Sequence, residues 1–355
     1  MSAILSAGQV VYGMQLPVQA QSSLFAEPWE RSAGAAELAE VARAADEAGF
    51  FYVGVCDHVA IPRRLAEAMG TTWYDTMTTL GFLAGITRRT RLLSHVLVVA
   101  HRHPLVTAKA IATLDKLSEG RAILGVGAGH VPEEFGLLGT SFERRGSLLD
   151  ESLRAISAAL QDEFPLLGDG ELGLDGSWGV SPRPIQKPRP PVWVGGSSPA
   201  AVRRAARLGD GWLPQGTARR DLPALIALLR RERDASGRQA AEMAIDVGTI
   251  TEWIYVGKPS WDLGRRCISG SSEEIAGSLR EYVDMGVGHL QVRFPSRSVD
   301  ELVDQVRAFG AEVGPLLTAD PAAYPAADPA AGSPTGSPTG SGPAANHTTS
   351  LAQEA

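Results

Sequence analysis

Between Gln9 and about Leu317, eight short apolar runs alternate with stretches of helical period, and this alternation constrains the fold of the 355-residue chain more than any other feature. The runs are Val10–Leu16, Phe50–Cys56, Arg91–Val99, Ala122–Val126, Pro191–Gly195, Gly211–Leu213, Ile245–Tyr255 and Val287–Phe294. Several are continuously apolar, the pattern of strands buried on both faces. Helix punctuation falls between them. Pro104 opens a helix that stops near Gly120, and Pro199 opens one that Gly209 closes. Ser271 with Glu274, and Ser298 with Glu301, have capping-box spacing. Repetition of this kind predicts a parallel sheet with right-handed crossovers. Eight repeats favour an α/β fold closed as a (β/α)8 TIM barrel over residues 1–318, with an open doubly wound sheet as the alternative.

Two segments break the rhythm. Residues 164–190 hold five prolines and several Gly-Asp or Asp-Gly steps. They read as an insertion over the carboxyl-end mouth of the barrel, with Trp178 walling a substrate pocket. Residues 319–355 lack lysine and arginine and carry the repeat Gly-Ser-Pro-Thr. Such a tail buries too little apolar surface to offset its ordering entropy, so disorder is expected.

A formal charge of −7 argues against a general nucleic-acid binder. No apolar run reaches the roughly 18 residues of a membrane span. Cys56 and Cys267 form no C-x-x-C pair, which excludes a cysteine-rich metal site and a disulfide scaffold. A soluble, cytoplasmic protein is expected.

The active site of such a barrel lies at the carboxyl ends of its strands. That rule selects Gln15 and Pro17, Asp57 and His58, His101 to His103, the segment Gly125 to Glu134, Gly195 to Ser198, Trp212 to Gln215, Glu252-Trp253 and Arg293. Histidine titrates near neutral pH, so the grouping of His58, His101, His103 and His130 suggests proton transfer, although strand-end histidines also serve plain hydrogen bonding. Gly125-Val126-Gly127-Ala128-Gly129-His130 is a poor dinucleotide fingerprint. It reads as backbone approaching a flat ligand, or as an ordinary glycine turn. Gly195-Gly196-Ser197-Ser198 opens a helix, which suits a phosphate or a simple serine cap, with Arg203 and Arg204 a turn further on. Glu133-Glu134 are adjacent and should diverge on a helix. No metal set is expected, and neither a P-loop nor a G-x-S-x-G elbow is present. Trp73 and Trp253 are candidates for aromatic walls or for core packing. Arg293 either meets an anionic group or closes a salt bridge.

Taken in order, several blocks carry a resemblance. They are Gly49-Phe50 through Asp57-His58, Thr90-Arg91-Leu92 through His101-Arg102-His103-Pro104, and Thr113-Leu114-Asp115 through Gly120-Arg121. Leu124 to Gly129 with Pro132-Glu133-Glu134-Phe135, and Pro191 to Ser197 through Arg207 to Trp212, complete the set. The chain resembles the luciferase-like monooxygenase superfamily, in its coenzyme F420-dependent oxidoreductase branch, over roughly Val10 to Arg293. The resemblance implies a barrel, often a homodimer, that holds a deazaflavin (F420) or a flavin (FMN) at its mouth and acts on a small-molecule substrate. It implies that Asp57 and His58 line the cofactor ring and that Gly195, Gly196, Ser197 and Ser198 cradle its phosphate. Val98, Val99 and Ala100 match a bulge, in relatives often formed by a non-prolyl cis bond, that supports the ring face. Gly127, Ala128 and Gly129 adjoin the ring, and His130 replaces a glutamate found in some relatives. His58 and His130 are the candidates for catalysis, protonated where they stabilise charge or donate a proton, with His130 either cationic or neutral. Hydride transfer with F420 is the implied activity. An FMN-dependent monooxygenase and a non-catalytic barrel subunit of a heterodimer are the alternatives.

Overall fold

The computed structural model describes residues 3–23, 25–167, 174–237 and 244–318. Ten strands are present among them: β1 Val11–Gln15, β2 Tyr52–Val55, β3 Arg91–Ser94, β4 Leu97–Val98, β5 Ala122–Gly127, β6 Val192–Gly195, β7 Gly211–Leu213, β8 Asp246–Val256, β9 Cys267–Gly270 and β10 His289–Arg293. All pair in parallel, in the order β10-β1-β2-β3-β5-β6-β7-β8, and β10 pairs with β8 to close the ring. The (β/α)8 barrel is thus formed and the open sheet is excluded. β3 and β4 share one barrel position, interrupted at the His95–Val96 peptide, which is cis. The eight barrel helices are α1 Ala35–Glu47, α2 Thr76–Ile86, α3 Pro104–Leu117, α4 Arg145–Gln161, α5 Pro199–Leu208, α6 Leu222–Asp234, α7 Ser272–Asp284 and α8 Val299–Ala308. Ser271 and Glu274 form the expected capping box at α7. None of the described helices is long and apolar enough to cross a membrane.

The barrel interior is filled by Val11, Tyr52, Leu93, Ile123, Trp193 and Leu213, with Val96 towards the mouth. At the opposite end Ile4 and Leu5 close the floor. Their backbone N–H groups donate to the Asp246 carboxylate at 3.0 and 3.1 Å, and Trp193 Nε1 donates to it at 3.1 Å. The outer faces of the strands pack on the helices in one large apolar cluster.

Two expectations are corrected here. β9, absent from the eight apolar runs, pairs with the far end of β8 outside the ring. More consequentially, the described residues of the 164–190 insertion lie away from the mouth. They lead from the end of α4 to the start of β6, and so return the chain to the amino ends of the strands. Their contacts lie there: Gln186 donates to the Ala122 carbonyl at the head of β5 and accepts from Arg91 at the head of β3. Ile185 and Gln186 also donate to Asp115 near the end of α3. Trp178 is exposed in that region and walls no site at the mouth. Part of this insertion, and the proposed tail 319–355, lie outside the described residues.

Candidate active site at the barrel mouth

The end of β2 delivers Asp57 and His58 side by side, and they take different tasks. Asp57 is buried and points back into the protein. Its carboxylate accepts two bonds from Arg102, at 2.7 and 2.6 Å, one from Val98 N–H at 2.8 Å and one from Thr76 Oγ1 at 3.1 Å. Its oxygens are therefore filled by protein donors, and it acts by fixing the loop after β4.

His58 instead meets Glu134. Its Nδ1 lies 2.9 Å from Glu134 Oε2, and Glu134 Oε1 accepts from the N–H groups of Val59 and Ala60 at 2.5 and 3.1 Å. Glu134 is almost fully buried, on the short helix Pro132–Leu137. Burial works against its ionisation, but the donors from His58, Val59 and Ala60 together outweigh it and hold the carboxyl down to about 2. An ionised carboxylate only accepts, so His58 donates from Nδ1 and leaves Nε2 for other chemistry. Glu133 turns outward to Arg64, so the two adjacent glutamates diverge as expected.

His130 stands 5.3 Å from His58, edge to face, and Trp73 lies 4.5 Å from His58 in the same geometry. Desolvation by the surrounding loops, and then the neighbouring His58, push the His130 imidazole below the ordinary histidine value. His101 packs on Phe135 at 4.7 Å, and His103 caps α3 by accepting from Leu105 N–H at 3.2 Å. Of the four mouth histidines, the fold brings only His58 and His130 together as a pair.

The bulge lies three residues upstream of its expected place. The cis peptide joins His95 to Val96, while Val98 and Ala100 pack with Phe135 and Val99 is buried in the outer core. Backbone geometry, which residue types do not report, decides this position. It puts Val96 at the centre of the mouth. A Cβ on Gly127 would come 2.6 Å from Val96 Cγ2, and one on Gly195 would come 2.9 Å from Val96 Cγ1. Gly129, at φ +80°, would meet Phe135 and Val98 at 2.8 Å, with Ala128 half-buried beside it. Packing around Val96, Val98 and Phe135 thus requires these glycines.

At the end of β6, Gly196 adopts φ +107°, and Ser198 caps α5 by accepting from Ala201 N–H at 3.2 Å. Ser197 Oγ is engaged by the next loop, donating to Gln215 O at 2.6 Å and accepting from Thr217 Oγ1 at 2.5 Å. Arg203 and Arg204 are committed to Glu232 and Asp150 and add no free charge at this turn. The N-terminus of α5, with Gly196 bare of side chain, is what a phosphate would meet.

Across the mouth, a small cleft of about 50 Å³ opens between the ends of β1, β8 and β10. Gln15, Pro17, Trp253 and Arg293 line it, as do Glu27, Glu30 and Ser296, which strand-end reasoning did not select. His95 was also missed. It is buried within the barrel facing Gln291, and burial pushes it down to about 4. It continues the inward alternation of Leu93, the one signal that would have exposed it.

Loops at the carboxyl-end face of the barrel thus hold two neighbouring imidazoles, one of them coupled to a buried acid, and the same face carries the α5 N-terminus. The sequence profile of the luciferase-like monooxygenase family matches residues 13–252, and the chain belongs to that family. It is 30% identical over 292 residues to an uncharacterised protein of Mycobacterium bovis, covering 78% of this chain and 93% of that one. It is 28% identical over 327 residues to the F420-dependent glucose-6-phosphate dehydrogenase of Nakamurella multipartita, covering 81% and 94% respectively. The structure of a monooxygenase from Streptomyces bottropensis superposes with a TM-score of 0.70 at 21% identity, covering 86% of this chain and 99% of that one.

Proposed function

We propose that this chain is an F420-dependent oxidoreductase that transfers a hydride between the deazaflavin and a small organic substrate. The observation that carries the reading is its likeness, over 81% of this chain and 94% of the other, to an F420-dependent dehydrogenase. The residues present fit the cofactor. The α5 N-terminus, with Gly196 and capped by Ser198, would hold the phosphorylated tail. Val96 would underlie the ring, with His58, His130 and Trp73 at its edge.

When bound, the deazaflavin supplies or accepts the hydride, and the protein provides orientation and proton management. Glu134 anchors Nδ1 of His58, so Nε2 is the atom that moves a proton. In the reducing direction Nε2–H protonates the atom left with charge; in the oxidising direction neutral Nε2 takes the hydroxyl proton. His130 offers a hydrogen bond beside His58. Trp73 shields His58 from water on one side.

Membership of the luciferase-like monooxygenase family supports a second reading, an FMN enzyme using reduced flavin and oxygen. Anaerobic titration of the full chain with reduced and oxidised F420 and FMN separates the two. Saturable F420 binding is expected, with His58→Ala lowering turnover by about 10² to 10⁴ while leaving cofactor affinity within a few-fold. Binding of FMN alone, with oxygen-dependent turnover, would reverse the assignment.

A further inference from the structure

Several arginines that serve the fold of this protein are held by a carboxylate or by several acceptors at once. Arg102 grips Asp57 with two bonds. Arg189 pairs with Asp210. Arg121 makes bonds to Ser118, Thr87, Thr90 and Ala84. Arg233 is held by the carbonyls of Ala206, Gly209 and Ala244. Arg293 differs from these in having a single protein acceptor. Among the described residues no carboxylate lies within 4.0 Å of it. Its Nη2 donates to the Thr251 carbonyl at 3.2 Å, and its buried Nε has no acceptor.

The placement of Arg293 is also particular. An irregularity in the β10–β8 register between Gln291 and Arg293 brings the arginine opposite Trp253 at the strand ends. Bulges recur where a side chain must be re-aimed. The guanidinium carbon sits 5.0 Å from the Trp253 ring centroid, in the cleft across the mouth. A second guanidinium, that of Arg265, lies 4.2 Å from the same ring, but it is paired with Glu27 at 3.0 Å. The other carboxylate on the cleft wall, Glu30, accepts from Val18 N–H and Glu27 N–H, both at 2.7 Å. Glu252, the acid that attracts Arg293 from further off, accepts from Tyr282 Oη at 2.5 Å. Met14, Leu16, Phe25, Phe294 and Leu302 complete an apolar wall.

We propose that Arg293 is a specificity-determining residue that receives an anionic oxygen group, carboxylate or phosphate, of a substrate whose apolar body rests against Trp253 and Phe294. A guanidinium left without its anion in a partly desolvated cleft is unfavourable, and a planar oxyanion matches its fork. Naming this ligand a substrate rests on the oxidoreductase reading; the anion site itself does not.

Benzoate and its neutral isostere benzamide are the probes, with inorganic phosphate as the second anion. Each is titrated by calorimetry into the full chain, with and without F420, for wild type, Arg293→Met and Arg293→Lys. Circular dichroism melts establish that each variant is folded. Wild type is expected to bind benzoate at least about tenfold more tightly than benzamide. Arg293→Met should erase that preference, and Arg293→Lys should retain part of it. Phosphate binding that vanishes in Arg293→Met while benzoate shows no preference over benzamide would assign the site to phosphate-bearing ligands. Equal binding of benzoate and benzamide together with no phosphate binding, or unchanged anion affinity in folded Arg293→Met, overturns the proposal. Anion selectivity without F420 binding would remove the cofactor assignment and leave the anion site standing.

Discussion

Glu134 Oε2 and His58 Nδ1 meet at 2.9 Å although 76 residues separate them in the chain. The same carboxylate ties down the backbone just after His58 through Val59 and Ala60. One buried acid thus sets both the orientation of the imidazole and the path of the loop that carries it. This coupling is the structural core of the proposed proton transfer.

Replacing Glu134 with glutamine tests that role. Glutamine keeps the shape, but its single acceptor oxygen cannot serve both His58 and the two backbone donors. Turnover is expected to fall at least about tenfold while F420 affinity stays within about twofold. Single-turnover rates and a cofactor titration measure the two quantities. Equal turnover in the variant would remove Glu134 from the mechanism.

Asp57→Ala should act on stability. It leaves the Arg102 guanidinium, mostly shielded from solvent, without its partner, and leaves Val98 N–H without an acceptor. Breaking such a pair from one side costs about 3–5 kcal/mol. The double replacement Asp57→Ala with Arg102→Met should recover part of that loss, as read from urea midpoints. A single-variant loss below about 1 kcal/mol would mean that water readily replaces the pair.

How much of this was legible follows from where each signal lies. The eight barrel strands announced themselves by apolar runs alternating with helical stretches, several of the runs continuously apolar because both faces are buried. β9 did not, since Cys267–Gly270 is short and only half-buried outside the ring. The proline-rich stretch at 164–190 was visible as an insertion, but proline and glycine carry no mark of which barrel end they cover. Its position between a helix and the following strand does carry that mark. His58 was found by its strand-end place. Glu134 was seen only as half of a glutamate pair, because a partner 76 residues away leaves no trace in local spacing. The glycines at 127 and 195 were noticed, but the side chain that demands them, Val96, is positioned by backbone geometry.

Those glycines make a separable prediction. Gly127→Ala places a methyl 2.6 Å from Val96 Cγ2, and such overpacking costs about 1–3 kcal/mol. Adding Val96→Ala should bring the double variant to within about 1 kcal/mol of Val96→Ala alone. Gly125→Ala is the control. Its Cβ would strike the Ser94 carbonyl oxygen at 2.0 Å, which no side-chain truncation relieves. Failure of Val96→Ala to rescue Gly127→Ala in denaturant melts would show that Gly127 is required for another reason.

The floor of the barrel predicts a pH dependence opposite in sign to that of Glu134. Burial, reinforced by the charge of Asp210, raises the Asp246 carboxyl to about 6, against the donors from Ile4, Leu5 and Trp193. The folded state therefore holds this proton more tightly than the unfolded chain does. The resulting stability is fully present below the ordinary aspartate value and is lost as pH rises through about 6. Glu134, held at about 2, contributes above the ordinary glutamate value and loses that contribution as pH falls. Between pH ~4.5 and ~7 the Asp246 effect amounts to roughly 2 kcal/mol. Asp246→Asn cannot ionise, so its unfolding free energy should change by about that much less than wild type over this range, although its absolute stability falls because the amide cannot accept all three donors. Urea melts at the two pH values make the comparison. Parallel pH dependence in both proteins would place the titrating group elsewhere.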